Sequence, residues 1–424
     1  MKQSPTSPSH VDATMDIFHN AKLPLAVVVA GTRWDEPPRM RHQVTRQLMR
    51  WCNVVFIEYF CTGQRGHAEG QWRRVGERLA VYTPTDRFRA PPRLQANDPF
   101  SHARTNRRYA AEIGAAVKDL PGTPRLLFNF VYDFPELMRI PTFDRRCYIC
   151  VDEFPRMQRG KASPNPLKAW YQGHLFQHYE NQVARRADRC FTPHYPLRSK
   201  LKRVNPKVDM LFHAHEWDAI TRPRKNGNGR IDVAFAGYIN YRLPYDWLDA
   251  IERERDMKLH LIGPMQDTRY EKLLRHPNVC HVAPLIGTAF REKLLEMDVL
   301  LMPYSQDSPE VRALTTNSKI FQYVASGRPI VMSDLPHYIK LPEGVIYRAK
   351  TAEEFVEQIR RAYHEDCDEY RQLRARIAAE NTWDKRGDML LSIIDRDLNG
   401  LLTRNGIASP REQGSTCLAE AVHV

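Results

Sequence analysis

Residues 299–334, VLLMPYSQDSPEVRALTTNSKIFQYVASGRPIVMSD, contain one complete strand–helix–strand unit. Two short apolar runs, at 299–304 and 329–334, predict buried strands with a polar loop and a short helix between them. Gly327 ends the helix and Pro329 follows it, which is the usual order at a helix C-terminus. A strand, a helix and a second strand in this order predict parallel strands covered by the helix.

The same alternation of apolar runs and helical stretches continues through the chain. In the second half the further runs are IDVAFAG (231–237), KLHLIG (258–263) and VCHVAPL (279–285). In the first half they are PLAVVVAGT (24–32), NVVFIEYF (53–60), RLLFNF (125–130), RRCYICVDEF (145–154), RCFTPH (189–194) and KVDMLFHA (207–214). The sequence therefore predicts an α/β fold with two Rossmann-like, doubly wound parallel-sheet domains that face each other across a cleft.

A charged stretch rich in Gly and Asn, TRPRKNGNGR at 221–230, is typical of a linker between domains. We expect a disordered tail over 1–22, a first domain over 23–220 and the linker over 221–230. The second domain then covers 231–398 with its closing helices, and a tail follows over 399–424.

The net charge of +13 in 424 residues predicts an anionic partner, which is a membrane surface, a nucleic acid or a phosphorylated substrate. No apolar run approaches the roughly 20 residues of a membrane helix, and the N-terminus lacks the apolar core of a signal peptide. Eight scattered cysteines without secretory features favour a reduced, cytoplasmic setting. No zinc-finger spacing, helix-turn-helix or basic-aromatic strand signature supports nucleic-acid binding.

Three polar residues of the short helix, Lys319, Gln322 and Ser326, are spaced three and four apart and share one face. A helix N-terminus with a lysine in its first turn is suited to a diphosphate, because its free N–H groups and partial positive charge attract anions. The three residues just before it, Thr316, Asn317 and Ser318, are further donor candidates. The alternative is an ordinary capped helix with a solvated lysine.

The segment from 299 to 331 resembles the donor-binding segment of GT-B glycosyltransferases. It is most similar to the membrane-associated glucuronosyltransferase family of xanthan-type polysaccharide assembly. The shared features are Pro303-Tyr304 at the end of a strand, Ser318-Lys319-x-x-Gln322-Tyr323, and then Gly327 and Pro329. Retaining GT-B families usually carry a Glu where Gln322 stands and another eight positions earlier, where this chain has Leu314. This departure favours the Gln-bearing family over the paired-Glu type.

The resemblance implies that the first domain binds an acceptor and the second binds a nucleoside-diphosphate sugar, with UDP-sugars favoured and no cofactor or metal required. Lys319 would neutralise the donor diphosphate, Gln322 would contact the sugar or ribose, and Tyr304 would line the pocket. Gly237 and Ile239 match the glycine turn after the first strand of the nucleotide domain, although Gly237 is also compatible with a simple tight turn. Backbone groups of Pro284 and Leu285 would contact the base.

An inverting sugar transfer needs a carboxylate to accept the proton of the acceptor hydroxyl. Asp152 follows an apolar strand and matches the position of the family's catalytic Asp, so it is our candidate base. A helix N-cap or a salt-bridge role is the alternative for Asp152, and Asp133 is the competing candidate base.

Three arginines after the first strand, Arg33, Arg39 and Arg41, are candidates for orienting a phosphate-bearing acceptor, because guanidinium groups match phosphate oxygens. A solvated basic face is the alternative. His213 lies near the crossing into the second domain and is a candidate for lining the cleft.

The predicted function is a glycosyltransferase of polysaccharide biosynthesis, inverting and metal-independent, that acts on a hydroxyl of a glycan or of a polyprenyl-diphosphate-linked acceptor. A retaining paired-Glu enzyme, an inactive GT-B scaffold and, more remotely, a nucleic-acid-binding protein are the alternatives. Basic residues near Trp34, Trp51 and Trp72 predict contact with an anionic membrane. We therefore expect a cytoplasmic protein on the inner face of the cell membrane.

Overall fold

The computed structural model describes residues 17–18, 20, 22–58, 70–84, 99–154, 165–222 and 229–407. Nearly all of the predicted tail over 1–22, residues 223–228 of the predicted linker and residues 408–424 of the predicted C-terminal tail lie outside this set. The chain divides into two compact units. The first ends at Thr192 and also takes Leu197–Met210 and the residues from Leu391 onward, while the second takes Pro193–Pro196 and Leu211–Leu390.

An eight-stranded sheet forms the centre of the first unit, with the order β3-β4-β2-β1-β5-β6-β7-β8. Its strands are β1 (Leu25–Val29), β2 (Asn53–Ile57), β3 (Gln71–Gly76), β4 (Leu79–Thr83), β5 (Arg125–Asn129), β6 (Arg145–Ile149), β7 (Arg189–Thr192) and β8 (Val208–Met210). All neighbours pair in parallel except β3 and β4. The central strands β1 and β2 are buried along their whole length, as expected when helices cover both faces of a sheet.

Helices connect these strands. They are α1 (Met40–Leu48), α2 (Pro99–Val117), α3 (Pro166–Arg186) and α4 (Tyr195–Leu201), with a 3-10 helix at Pro135–Arg139. The first unit also contains the end of a later helix, and Arg189 Nε and Nη2 bond the Asp397 carboxylate of that helix at 2.6 and 2.7 Å. This ion pair attaches the end of that helix to β7 of the first unit, a contact that the sequence pattern does not reveal.

The second unit has a six-stranded, all-parallel sheet with the order β11-β10-β9-β12-β13-β14. Its strands are β9 (Ile231–Ala236), β10 (Met257–Ile262), β11 (Val279–Val282), β12 (Val299–Met302), β13 (Ile330–Ser333) and β14 (Ile346–Ala349). The helices that follow are α5 (Tyr245–Glu252), α6 (Gly287–Leu295), α7 (Pro309–Arg312), α8 (Ile320–Ala325), α9 (Ala352–His364), α10 (Asp368–Ala379), α11 (Trp383–Asp397) and α12 (Leu401–Arg404), with a 3-10 helix at Thr268–Arg275. The division between the units falls within α4 and within α11.

The two parallel-sheet α/β domains predicted from the sequence are thus confirmed. In each sheet the chain first builds outward on one side and then returns to the other side of its first strand, so β1 neighbours β5 and β9 neighbours β12. Ligands of such sheets bind beyond the carboxyl ends of the strands at this reversal point. In the first unit that edge carries the residues after β1, β5 and β6, and in the second unit it carries those after β9 and β12.

Of the three tryptophans expected at a membrane, one is buried in the first unit and two are half-buried on it. Trp51 is 4% exposed, the Trp34 ring meets the Phe56 ring edge-on at 5.1 Å, and the Trp72 ring lies 4.9 Å from the Tyr82 ring. Trp51 is therefore not accessible to a membrane, whereas Trp34 and Trp72 are half-buried, and their membrane contact stays a prediction.

Candidate functional site

The ammonium group of Lys319 is held at the carboxyl edge of the second sheet by aromatic side chains. Its Nζ donates a 2.8 Å hydrogen bond to the hydroxyl of Tyr304 and lies 4.4 Å from the centroid of the Phe235 ring. Among the described residues no carboxylate lies within ion-pair distance of this ammonium. A positive charge on aromatic faces without a carboxylate partner is suited to an anionic ligand.

Gly237 forms the turn directly after β9 and lies against the same lysine. Its φ is +144°, and a Cβ there would lie 2.5 Å from Nζ of Lys319. The backbone conformation therefore favours glycine, and a Cβ there would displace the flexible end of the Lys319 side chain. The predicted glycine turn is present, and Gly237 N donates to Ile262 O at 2.8 Å, which fixes it to the end of β10.

The start of α8 differs from the expectation. Lys319 is the N-cap residue, and the Asn317 side chain accepts hydrogen bonds of 3.0 Å from both Lys319 N and Ile320 N. Two of the N–H groups expected to be free for a phosphate are therefore already bonded. The helix is also only six residues long. The capacity of this region to bind an anion therefore lies in the lysine side chain rather than in the helix N-terminus.

The two neighbours of Asn317 lie in different environments. Ser318 is exposed, whereas Thr316 is fully buried and its Oγ1 lies 3.0 Å from Nδ1 of His213. Thr316 therefore holds the side chain of His213. Of the two neighbours of Asn317, only Ser318 is accessible to a ligand. Asn317 Nδ2 also donates to the Tyr304 hydroxyl at 3.3 Å, so its side chain helps to position the hydroxyl that binds Lys319.

The remaining residues of α8 separate into the predicted faces with one exception. Gln322 is half-buried on the face of Lys319, while Ile320 and Phe321 are buried in the core. Ser326 was expected on the polar face, but it is fully buried and its hydroxyl donates to Tyr323 O at 2.6 Å. Gly327 has φ +74° and donates from its N–H to Val324 O, which confirms its role at the helix end.

Ile239, predicted in the glycine turn, follows β9, and the predicted base-contacting residues Pro284 and Leu285 follow β11. Ile239 is fully buried and its N–H donates to Pro264 O at 3.0 Å, so its side chain is part of the core. Pro284 is exposed and Leu285 is half-buried, in a segment whose backbone is accessible before α6 begins. Their role in contacting a base remains a prediction.

Sequence reasoning missed one side chain of this pocket, Phe235, and one hydrogen-bonded carboxylate of the same unit, Glu310. The ring of Phe235, on β9, lies against the ammonium of Lys319. In the sequence it is indistinguishable from the other apolar residues of the strand. Glu310 on α7 accepts a 2.9 Å hydrogen bond from the Tyr241 hydroxyl and lies 3.7 Å from Nε of Arg242. Burial raises and local hydrogen bonds lower the pKa of Glu310, with a net lowering. In the paired-Glu families the two glutamates are eight positions apart, which corresponds to Leu314 and Gln322 in this chain. Glu310 lies four positions before Leu314, so it does not replace the missing glutamate.

In the first unit the candidate base Asp152 lies three residues beyond the end of β6, in a loop. It is half-buried, and its Oδ1 accepts a hydrogen bond of 3.1 Å from Glu153 N. The strand was expected to continue to residue 154, but it ends at Ile149. Asp152 therefore lies in a loop at the carboxyl edge of the first sheet, and its role as the base remains a prediction.

A buried charge cluster of Lys200, Glu153 and Glu180 anchors the loop that carries Asp152. Nζ of Lys200 lies 2.7 Å from Oε1 of Glu153 and 2.6 Å from Oε2 of Glu180, and Glu180 is fully buried. The Tyr148 hydroxyl donates to Glu180 at 3.2 Å. Burial by itself lowers the pKa of Lys200, but the neighbouring Cys150 and the two glutamates raise it well above the ordinary value. Glu153 is thereby committed to an ion pair, which removes it as a rival base.

Arg41 reaches the same edge of the first sheet. Its Nη1 donates to Ala30 O at 2.7 Å, beside Gly31, whose φ is +67°. Burial lowers the pKa of Arg41 to about 10, and Arg39 adds to this effect, while Glu36 and Asp152 oppose it. Arg41 and Asp152 are thus close enough to interact electrostatically.

The other two candidate arginines are tied to their own loop. His42 Nδ1 accepts from Arg39 N at 3.1 Å, and its Nε2 lies 2.9 Å from Arg33 O. The Arg39 side chain is half exposed and pairs with Glu36 at 3.4 Å. These contacts shape the loop after β1, while Arg41 interacts electrostatically with Asp152.

The competing base Asp133 lies after β5 and has a histidine beside it. Its Oδ2 is 3.6 Å from Nε2 of His102, and His102 is 5% exposed and stacked on Tyr179 at 4.2 Å. Sequence reasoning missed His102, because a single histidine in a helix of the first half has no local signal. A carboxylate beside a buried imidazole keeps Asp133 as a second candidate.

His213 belongs to the second unit, where it bonds Thr316 as described above. Burial, with a smaller effect of Arg386, lowers the pKa of His213 to about 4. It is therefore neutral near pH 7, and it orders the loop before Lys319 instead of presenting charge. Within the described ranges there is no group of three or more His, Cys, Asp or Glu side chains arranged to hold a metal ion.

Two parallel α/β domains with polar sites at the carboxyl edges define the GT-B class of fold. Solved structures of that class are similar to this chain over most of its length. The sucrose-phosphate synthase tll1590 of Thermosynechococcus elongatus has a TM-score of 0.64 at 10% identity, with 89% of this chain and 99% of that chain covered. WaaG, a glycosyltransferase involved in lipopolysaccharide biosynthesis, has a TM-score of 0.56 at 12% identity, with 87% and 99% covered.

The sequence comparisons narrow the class. Residues 242–392, which include the whole pocket of Lys319 except the β9 edge, match the Glycosyl transferase-like family. The Bacillus subtilis (strain 168) protein TuaH, whose name assigns it to teichuronic acid biosynthesis as a glycosyltransferase, is 24% identical over 270 residues, or 59% of this chain and 67% of TuaH. These findings support the predicted resemblance at the level of GT-B glycosyltransferases, and the xanthan-type specificity remains a prediction.

Proposed function

We propose that this protein is a glycosyltransferase of polysaccharide biosynthesis that moves a sugar from a nucleoside-diphosphate sugar to a hydroxyl of a glycan or polyprenyl-diphosphate-linked acceptor. The glycosyltransferase-like segment at 242–392 and the relative TuaH support the class of reaction. A UDP-sugar is favoured as donor, because one structural neighbour from E. coli, with a TM-score of 0.61, is bound with UDP-2-fluoro glucose. The resemblance to the xanthan-type family favours a hexosyl or glucuronosyl group.

The observation that carries the proposal is the environment of Lys319. Its ammonium lies on the Phe235 face at 4.4 Å, within hydrogen-bond distance of Tyr304 and against the bare backbone of Gly237. A diphosphate at this position would receive one positive charge and could approach the backbone closely. Gln322 on the same helix face would bond the sugar or ribose, and the backbone near Pro284 and Leu285 would meet the base.

We further infer an inverting, metal-independent reaction. The acceptor oxygen forms a bond to the anomeric carbon as the bond from that carbon to the diphosphate oxygen breaks, and Asp152 accepts the proton of the acceptor hydroxyl. Lys319 neutralises the charge that develops on the departing diphosphate. Arg41, held beside Gly31, would orient phosphate groups of the acceptor.

The proposed setting is the cytoplasm, at the inner face of the cell membrane. The described residues contain no helix that is both long and apolar enough to cross a bilayer. The net charge of +13 supports attraction to anionic lipids. Leu167 and Trp170, near the start of α3, are 76% and 61% exposed, and they join the half-buried Trp34 and Trp72 as candidates for membrane contact.

A thermal-shift screen with UDP-, GDP-, TDP- and ADP-sugars tests the proposal, because a ligand of the native state raises the melting temperature. We expect one nucleotide class to stabilise the wild type, and Lys319→Met to lose this effect. Lys340→Met, which removes an exposed lysine of the same unit, is the matched control and should respond as the wild type does. A screen in which no sugar nucleotide binds, or in which the Lys319 variant binds equally well, contradicts the proposed donor site.

The product of a transfer assay distinguishes the remaining possibilities. An inverted anomeric configuration, read by NMR, supports the role of Asp152, whereas retention would favour the paired-Glu type of chemistry. Donor binding without any transfer to glycan or lipid-linked acceptors would instead favour an inactive scaffold.

A further inference from the structure

A cysteine, a histidine and an aspartate lie side by side on three neighbouring strands at one edge of the second sheet. Nε2 of His260 on β10 lies 2.8 Å from Oδ1 of Asp232 on β9. On its other side, Nδ1 of His260 lies 3.1 Å from Sγ of Cys280 on β11. His260 and Cys280 are direct partners in the parallel ladder, so the register of the sheet itself sets their contact.

The aspartate determines which ring nitrogen of His260 carries the proton. A carboxylate only accepts hydrogen bonds, so Asp232 holds the proton on Nε2. Nδ1 is then left with its lone pair directed at Cys280, where it accepts from the thiol. This is the arrangement in which an imidazole removes the proton of a thiol, with the carboxylate stabilising the imidazolium that forms.

The charged neighbours of the pair come from β10 and α6. Burial raises the pKa of Cys280, and Asp232 raises it further, while Lys258 and Lys293 lower it. Burial lowers the pKa of His260, Asp232 raises it, and Lys293 and Lys258 add to the lowering. The pKa of Cys280 is raised overall, so a thiolate depends on direct transfer of the thiol proton to His260, with the two lysines acting in the same direction. The cysteine itself is partly exposed, in contrast to the four fully buried cysteines Cys52, Cys147, Cys150 and Cys190.

We propose that Cys280 is an activated thiol, with His260 as its base and Asp232 as the residue that orients His260, and that hydroperoxides oxidise it to a sulfenic acid. The proton of the thiol passes to Nδ1 of His260, and the thiolate sulfur attacks one oxygen of the hydroperoxide. An S–O bond forms as the O–O bond breaks. The leaving hydroxide or alkoxide takes the proton from His260, so one thiol and one hydroperoxide give one sulfenic acid and one water or alcohol.

The chain supplies an internal reference for the test. Cys367 is also partly exposed and lies in the same unit, at the N-cap of α10, where its thiol bonds the Glu369 carboxylate rather than an imidazole. Alkylation of the intact protein by iodoacetamide, followed by mass-spectrometric peptide mapping, reads each cysteine separately. We expect Cys280 to react about tenfold faster than Cys367 near neutral pH, and both to react alike after unfolding in urea.

Two conservative variants identify the cause of the reactivity. His260→Gln removes the base and Asp232→Asn removes the acceptor that sets the tautomer, so each should slow Cys280 to about the rate of Cys367 and move its pH profile upward. Brief treatment with hydrogen peroxide and a dimedone trap should label Cys280 in the wild type and not in these variants. The rate of Cys367 must stay unchanged in both, which verifies that the fold is intact.

The wild-type rate ratio decides the matter even if a variant fails to fold. A native Cys280 that reacts no faster than Cys367, or that yields no dimedone adduct, overturns the proposal. The measurement reads thiol chemistry alone, so its outcome is independent of whether the protein transfers a sugar.

Discussion

A methyl group placed on Gly237 would lie 2.5 Å from Nζ of Lys319 and 2.7 Å from its Cε. Real Cβ atoms do not approach other atoms so closely, so a side chain at residue 237 would force the flexible end of Lys319 away from the turn after β9. The lysine is restrained further by the Tyr304 hydroxyl and the Phe235 ring. This mutual fit is the feature of the second unit that a donor diphosphate would use.

Gly237→Ala should therefore weaken donor binding by roughly tenfold or more, equivalent to about 1.4 kcal/mol. The methyl group displaces the ammonium and also strains a backbone with φ +144°. Isothermal titration with the sugar nucleotide found in the thermal-shift screen measures the dissociation constant. Gly229→Ala is the control for backbone strain, since Gly229 has φ +79° and open space around it. Equal affinities of the Gly237 variant and the wild type would refute the role of this turn.

Asp152→Asn should lower kcat by roughly 10²–10⁴-fold while leaving the affinity for donor nearly unchanged. The amide keeps the shape of the side chain and the contact with Glu153 N, but it cannot accept the acceptor's proton. Asp133→Asn is the competing variant, because Asp133 with His102 is the second candidate for the same task. If only the Asp133 variant loses turnover, the base is Asp133 after β5 and not Asp152 after β6.

Lys200→Met should destabilise the first unit by about 3 kcal/mol or more, because it leaves the buried carboxylates of Glu153 and Glu180 without their shared cation. Urea unfolding followed by circular dichroism measures the change. Lys202→Met, at an exposed position two residues further along the chain, should change stability by less than about 0.5 kcal/mol. Because Glu153 adjoins Asp152, we also expect a lower kcat in the Lys200 variant at temperatures where it remains folded. A urea unfolding curve of Lys200→Met that is unchanged from the wild type would mean that the cluster is solvated and does not stabilise the first unit.

The sequence was sufficient for the parallel sheets, because buried parallel strands are continuous apolar runs and their signal is local. It did not predict β3 and β4, since Gln71–Gly76 is an exposed, arginine-bearing strand that pairs antiparallel at the sheet edge. It also missed β14, which is only four residues long. Nor did it place the end of α11 in the first unit, because the Arg189–Asp397 contact joins residues 208 positions apart.

The candidate donor site was predictable in its residue types and less so in its geometry. Lys319, Tyr304 and Gly237 were found by motif and spacing, and the structure brings them together. The bonded helix start was not foreseen, because whether Asn317 caps the helix or contacts a ligand depends on its rotamer rather than on its place in the sequence. Phe235 was not found because an aromatic residue under an ammonium has the same sequence pattern as one in a core.

The buried imidazole of His213 should make the second unit less stable in mild acid. Burial lowers its pKa from 6.5 to about 4, so the unfolded chain binds a proton on this residue more readily than the folded chain does. A folded pKa below the unfolded value means that the contribution is complete above pH of about 6.5 and is lost as the pH falls toward about 4, for a total of about 3 kcal/mol. Between pH values of about 7.5 and 5.5 the loss from His213 alone is about 1 kcal/mol.

His213→Gln separates this effect from those of the other buried histidines. Its amide can still bond Thr316 Oγ1, but it does not titrate, so the variant should lose about 1 kcal/mol less than the wild type when the pH is lowered through that interval. Urea unfolding at both pH values gives the difference, and the contributions of His215 and His260 cancel because both proteins contain them. His337→Gln, which alters an exposed histidine of the same unit, should follow the wild-type pH dependence. If His213→Gln also follows it, then His213 is accessible to protons in the folded state, and the loop before Lys319 is not held by a neutral imidazole.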